Sequence, residues 1–143
     1  MARDQPTLGG IPTETSRGQS LRRWLIGLIR SFVFAFAGIA ALIRTQRNAQ
    51  VHLLITAIVI AGGAFFGVSV VEWLILILSI TLVLALEAMN TALEALVDLA
   101  SPQYHPLAKK AKDVAAGAVL IGAIGTAIIG CIVFLPRIVD LLL

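Results

Sequence analysis

Residues 86–113, LEAMNTALEALVDLASPQYHPLAKKAKD, decide how this chain is read. They close a long apolar run, yet they carry Glu87, Asn90, Glu94 and Asp98. Placed on a helix at about 100° per residue, the four fall at roughly 0°, 300°, 340° and 20°, an arc about 80° wide. Three carboxyl groups and an amide therefore share one face over about 16 Å of axis, enough to hold a metal-phosphate group beside a second reacting centre. Ionisable groups at membrane depth cost at least roughly 2.5–3.5 kcal/mol each, so such a face points to function. The plainer reading of the same residues is the wet end of a helix leaving the membrane.

Composition sets the class. With 143 residues, 59% hydrophobic and 13% charged, and a mean hydropathy of +0.97, the chain is too apolar for an ordinary soluble domain, in which about 25% of residues are charged. It reads as an all-α membrane protein of one domain. The net charge of +3 does not indicate nucleic acid, because the basic residues lie between apolar stretches and form no stripe interleaved with aromatics. Anionic lipid headgroups and ATP suit them better. The single cysteine, Cys131, lies in an apolar run and is read as a packing residue with no disulfide or metal role.

The pattern E-x-x-N-T-A-x-E-x-x-V-D, followed by YHPLAKKAKD, closely resembles the signature of the small bacterial integral-membrane lipid kinases, the prokaryotic diacylglycerol kinase and undecaprenol kinase family. The resemblance runs from about Arg22 to about Phe134. It implies that Glu87 is the catalytic base and that Glu94 is a ligand for the Mg2+ carried by ATP. It makes Asn90 and Asp98 polar partners in the same site, and sets Lys112 and Asp113 beside the nucleotide phosphates. Gln46 stands where the family commonly has a glutamate that helps hold the metal. An amide oxygen can coordinate magnesium but lacks the charge that offsets dehydration of a hard cation. Gln50 stands where many relatives carry arginine. The resemblance also implies a homotrimer with shared active sites, and an acceptor that is a membrane lipid, undecaprenol or diacylglycerol. YHPLAKKAKD followed by VAAGAVL looks more like the undecaprenol branch.

Taken in order, residues 1–20 are rich in Gly, Pro, Thr, Ser and Gln and read as a flexible tail with no signal-peptide pattern. Residues 21–43, with Arg22, Arg23 and Arg30 near their start and Trp24, Phe32, Phe34 and Phe36 following, are either a just-sufficient span or an amphipathic surface helix. The resemblance implies the surface helix. Arg44 to His52 reads as a polar connector. The apolar stretch from Leu53 to Leu86, with one charge at Glu72, is too long for one span and right for two, about 53–70 and 73–100, with a tight turn near Gly67 to Glu72. GGAFFG lacks the ending of a phosphate loop, so packing or the turn explains its glycines.

SPQYHP ends the second span, with Tyr104 and His105 read as site residues or interfacial anchors. A third span follows at about 114–135. Ala118, Gly122, Thr126 and Gly130 make a small-residue seam on it, and Ala85, Ala88, Ala92 and Ala95 a second strip on the span before. Of the eleven Lys and Arg residues, seven precede Leu53 and three lie at 109–112. The positive-inside rule puts the N-terminus and the 101–113 loop in the cytoplasm, for a multi-pass protein of the bacterial inner membrane.

The function this predicts is transfer of the γ-phosphate of MgATP to a lipid hydroxyl at the cytoplasmic surface. Base, metal carboxylate and phosphate cation are represented by Glu87, Glu94 and Lys112. An ion or proton pathway is the alternative from another class, disfavoured because the carboxylates gather near one end of a span. A noncatalytic membrane module is a third, for which Gln46 and Gln50 speak. Lipid-dependent phosphate transfer separates them.

Overall fold

The long apolar run breaks at Gly67. In the computed structural model, which describes residues 14–143, Gly67 takes φ 62° and ψ 45°, the left-handed region open to a residue without Cβ. Its N–H and that of Val68 both donate to Gly63 O, capping the helix before the turn. Two residues later Ser69 opens the next helix with a capping box. Its hydroxyl accepts from Glu72 N, and the Glu72 carboxylate accepts from Ser69 N at 2.7 Å. Four helices result: α1 Glu14–Thr45, α2 Arg47–Phe66, α3 Val70–Ala100 and α4 Pro106–Leu142. The described residues contain no strand.

Several boundaries differ from expectation. The turn is confined to residues 67–69, so the expected span 53–70 stops at Phe66 and Glu72 belongs to the first turn of α3. The expected connector 44–52 is almost wholly helical, interrupted only at Gln46. Polar residues end the hydrophobic match to lipid without lowering helix propensity, so the sequence marked a change of solvent and not a break in the backbone. For the same reason α4 outruns the expected 114–135 at both ends. It passes through Pro136, which removes one hydrogen bond without ending the helix. Helix α1 begins at Glu14, inside the segment expected to be a flexible tail. Residues 1–13, the rest of that tail, lie outside the described residues.

All four helices are long and apolar enough to cross a membrane, α1 through its portion Leu21–Thr45. The chain divides into two compact units, the first ending at Gly38 and the second comprising residues 39–143. In the first, the side chains of Trp24, Phe32, Phe34 and Phe36 are exposed along α1.

In the second unit α2, α3 and α4 pack together, most extensively α3 on α4. Leu76, Val68 and Val133 are buried at one end, with Trp73, Phe66 and Phe134 against them. The glycines of GGAFFG serve this packing and the turn. A Cβ on Gly63 would stand 2.7 Å from the Trp73 ring, and one on Gly62 3.3 Å from Phe134. Of the expected α4 seam, Gly122 is pressed on Leu86 of α3, whose Cδ1 lies 2.6 Å from where a Cβ would be. Ala85, Ala88, Ala92 and Ala95 are exposed, so their strip is not buried within the chain. Cys131 is likewise exposed and not a packed core residue.

These contacts set the register. Gly63 against Trp73 makes α2 and α3 an antiparallel hairpin, and Gly122 against Leu86 does the same for α3 and α4. At the end formed by the 67–69 turn, Arg137 Nη2 of α4 donates to Glu72 Oε2 at 2.9 Å, fastening the end of α4 to the start of α3. The polar stretch of α3 is thereby carried to the opposite end of the bundle.

Candidate active site

One stripe of α3 is buried along its length: Leu76, Ser79, Val83, Glu87 and Asn90. The spacings of three and four residues are those of one helix face. It begins apolar and ends in a carboxylate and an amide. Glu87 is 1% exposed, the one large side chain among the described residues that is fully buried. Its Oε2 has no hydrogen-bond partner. Asn90, 7% exposed, donates from Nδ2 to Glu94 Oε1 at 3.1 Å, leaving its own buried Oδ1 without a partner. A buried polar atom without a partner costs about 1–3 kcal/mol, and more when charged, so two such atoms within one helical turn make this place the candidate site. Thr91 Oγ1 donates to Glu87 O, an ordinary bond within the helix.

Asn90 and Glu94 are therefore joined by a hydrogen bond, and Glu87 lies one turn before Asn90 on the same buried face. Asp98, the fourth member, is two-thirds exposed and turns instead to α4, where Lys112 Nζ donates to its Oδ1. This cross-helix pair joins two residues that the sequence had placed near phosphate separately. Asp113 does not share Lys112's partner. It pairs with Lys109 one turn earlier, and both of those side chains are 60% exposed. An exposed pair of this kind contributes little to stability, of order 0–1 kcal/mol.

The loop 101–105 holds the two helices at this distance. Ser101 N donates to Val97 O to finish α3, and its Oγ donates to Gln103 O. His105 is the N-cap of α4: its Nδ1 accepts from Leu107 N at 3.2 Å, with Pro106 in the first turn. Sequence reasoning missed this cap, although a His-Pro pair opening an apolar helix was the available signal. Tyr104 is exposed in the same loop. Asp98, Tyr104, His105, Lys109, Lys112 and Asp113 all line one open cavity of about 390 Å³.

Gln46 is the N-cap of α2 and makes no side-chain capping bond. Counted from the Gly63–Trp73 contact at equal rise along the two helices, Gln46 comes near the level of Asn90, and the fully buried Ala49 near that of Glu87. No hydrogen bond joins Gln46 to α3. Gln50 Nε2 donates to Ile43 O at 3.0 Å, bridging the α1–α2 break. Among the described residues no group of three or more His, Cys, Asp or Glu side chains converges to hold a metal ion alone. Magnesium bound through ATP needs only one or two protein oxygens, because phosphate and water supply the others. The carboxylate of Glu94 and the unpartnered amide oxygen of Asn90 are hard oxygen donors of that kind.

The chain is 44% identical over 116 residues to undecaprenol kinase of Bacillus subtilis (strain 168), covering 81% of this chain and 94% of that one. It is 42% identical over 116 residues to diacylglycerol kinase of Synechocystis sp., covering 80% of this chain and 66% of that protein. It is 39% identical over 79 residues to diacylglycerol kinase of Escherichia coli (strain K12), covering 55% and 63% respectively. Residues 33–134 match the family described as prokaryotic diacylglycerol kinase. With four helices able to cross a membrane and this match over most of its length, the chain is a multi-pass membrane protein that belongs to the prokaryotic diacylglycerol kinase family.

Proposed function

We propose that this lipid kinase transfers the γ-phosphate of ATP to the hydroxyl of undecaprenol, with Glu87 as the base. The observation that carries the reading is the buried Glu87 carboxylate with an unpartnered oxygen, one turn from the Asn90–Glu94 pair. In the transfer, the acceptor oxygen forms a bond to the γ-phosphorus, the bond from that phosphorus to the bridging oxygen of ADP breaks, and the hydroxyl proton passes to Glu87. Little covalent chemistry falls to the protein, so positioning and charge compensation dominate. Glu87 Oε2 accepts the hydroxyl and fixes its direction. Asn90 holds the Glu94 carboxylate in place through Nδ2.

Glu94, Asn90 Oδ1 and Gln46 are the residues that would hold Mg2+. When bound, the ion would offset charge on the phosphate oxygens. Lys112, held by Asp98 in the free protein, exchanges that carboxylate for phosphate, and Asp113 orients the neighbouring Lys109. Burial of Glu87 keeps water from competing with the lipid hydroxyl.

The site lies at the membrane's cytoplasmic surface. Arg22, Arg23, Arg30, Arg44 and Arg47 before the bundle, and three lysines in the 101–113 region, support a cytoplasmic N-terminus in the inner membrane. Helix α1 lies on that surface, its arginines at headgroup phosphates and its exposed aromatics in the interface. The exposed Ala85–Ala95 strip of α3 is where copies meet in a homotrimer. Diacylglycerol is the second reading of the acceptor, favoured by the Synechocystis relative. Purified protein given MgATP and each lipid in mixed micelles decides it. Transfer to undecaprenol at several times the kcat/KM for diacylglycerol is expected, and the reverse order replaces the acceptor.

A further inference from the structure

A base has to come within about 2.6–3.2 Å of the oxygen it deprotonates. Glu87 is only 1% exposed within a single chain, and further copies around that chain can only deepen its burial. The structure therefore holds this carboxylate closed to any acceptor, and one of the packed helices has to move before a hydroxyl reaches it. Helix α4 is badly placed to do so. Its packing on α3 is the most extensive in the bundle. Gly122 is pressed on Leu86, the neighbour of Glu87, and the Lys112–Asp98 pair ties the same two helices again beyond it.

Helix α2 is held differently. Its two buried residues are Gly63 and Ala49. Gly63 lies so close to Trp73 that a Cβ would stand 2.7 Å from the ring, whereas Ala49 comes near the level of Glu87. Between these two points His52 and Thr56 line an open groove against Ser79 and Val83 of α3. At the Ala49 end the helical backbone is interrupted at Gln46, with φ −102° and ψ 114°. That joint is bridged to α1 by Gln46 N donating to Leu42 O and by the Gln50 side chain donating to Ile43 O. In an unbroken helix Ile43 O would accept from Arg47 N, so Gln50 Nε2 stands in for a backbone donor that the break has taken away.

We propose that α2 is a gate over Glu87: it pivots on the Gly63–Trp73 contact, its Ala49 end swings away from α3, and the Gln50–Ile43 bond holds it shut. The inference rests on the reading of Glu87 as the base. Fourteen residues separate pivot and free end, about 21 Å of helix, so a tilt of roughly 10° moves Ala49 by about 4 Å, the width of one carbon or hydroxyl group. The swing leaves α3 and α4, with Glu94, Asp98 and Lys112, in place. Closure then shuts water out around the reacting hydroxyl.

Two measurements on the full-length protein in phosphatidylethanolamine–phosphatidylglycerol vesicles test this, both with Cys131→Ser as background and neither using activity. Nitroxides are placed at the inner end, on Asn48→Cys and Leu96→Cys, or at the outer end, on Phe65→Cys and Leu78→Cys; excess unlabelled protein keeps labelled chains apart. The inner pair is expected to show a second distance longer by about 4 Å, and that population grows when Gln50→Leu removes the bridging donor. The outer pair is expected to keep one distance. In the second measurement, dicyclohexylcarbodiimide, which reacts with carboxyl groups in apolar surroundings, is followed at Glu87 by mass spectrometry without spin labels. Modification about threefold or more faster in Gln50→Leu than in the parent is expected. A single inner distance in both proteins, or equal rates of modification, overturns the gate. Glu87 modified while the inner distance stays single means that its side chain turns out unaided, which also overturns it. The base reading survives each of these failures, because it is tested separately by the turnover of Glu87→Gln.

Discussion

Two glutamates of α3, Glu72 in its first turn at the turn end and Glu87 in the half toward the 101–105 loop, are treated in opposite ways. At the turn end, Glu72 accepts from Ser69 N, Ser69 Oγ and Arg137 Nη2, at 2.7, 2.8 and 2.9 Å. In the half toward the loop, Glu87 is almost fully buried and its Oε2 accepts nothing. A carboxylate whose Oε2 takes three donors is pinned in place and serves to fasten two helices. One left without a donor away from water is an expense to the fold that a bound hydroxyl removes. The residue type is the same; the donors around it separate structure from function.

Substitutions can break that contrast, and the largest effect is expected at Glu94. Its carboxylate anchors Asn90, and no other carboxylate is hydrogen-bonded to that amide. Glu94→Gln is expected to lose magnesium-dependent transfer almost completely, on the order of a thousandfold or more, as removal of a charge-stabilising group does. Near-normal turnover across a magnesium titration removes Glu94 from the metal site. A smaller change is expected from Gln46→Glu. With residue 46 near the level of Asn90, a restored carboxylate lowers the magnesium needed for half-maximal rate severalfold. An unchanged titration places it outside the site.

The smallest effect on catalysis belongs to the turn end. Glu72→Gln keeps the shape of the capping box but loses the charge facing Arg137. It is expected to leave turnover within about twofold, as substitutions away from a site do, while lowering the midpoint of thermal unfolding in detergent. Loss of activity without loss of stability would erase the distinction between the two ends.

Much of this arrangement was legible in the sequence because it is local. The arc of Glu87, Asn90 and Glu94 follows from helical periodicity alone, and Gly67 marks the turn because the left-handed backbone it takes is open to a residue without Cβ. What escaped depends on which helix lies opposite which. Glu72 and Arg137 are 65 residues apart, and no pattern in either neighbourhood announces their pairing. Asp98 reads as a fourth member of the polar face until α4 supplies Lys112, and Lys112 with Asp113 read as a unit until Lys109 takes the aspartate. Gly122 and Gly130 look alike as members of one contact seam, but Gly122 presses on Leu86 of α3 while a Cβ on Gly130 meets nothing within 4 Å. The connector at 44–52 was misread because polarity reports the solvent around a helix and not its continuity.

The central claim, that the unpartnered carboxylate is the base, is tested most directly by Glu87→Gln, with nucleotide affinity and turnover measured on one preparation. The amide keeps the size of the side chain and removes its capacity to take a proton. MgATP affinity is expected to stay within about twofold of the parent, while phosphate transfer to lipid slows by at least about a hundredfold, the lower end of what a general base contributes. Weak MgATP binding with unaltered transfer per bound nucleotide would contradict the assignment and move Glu87 into the nucleotide site.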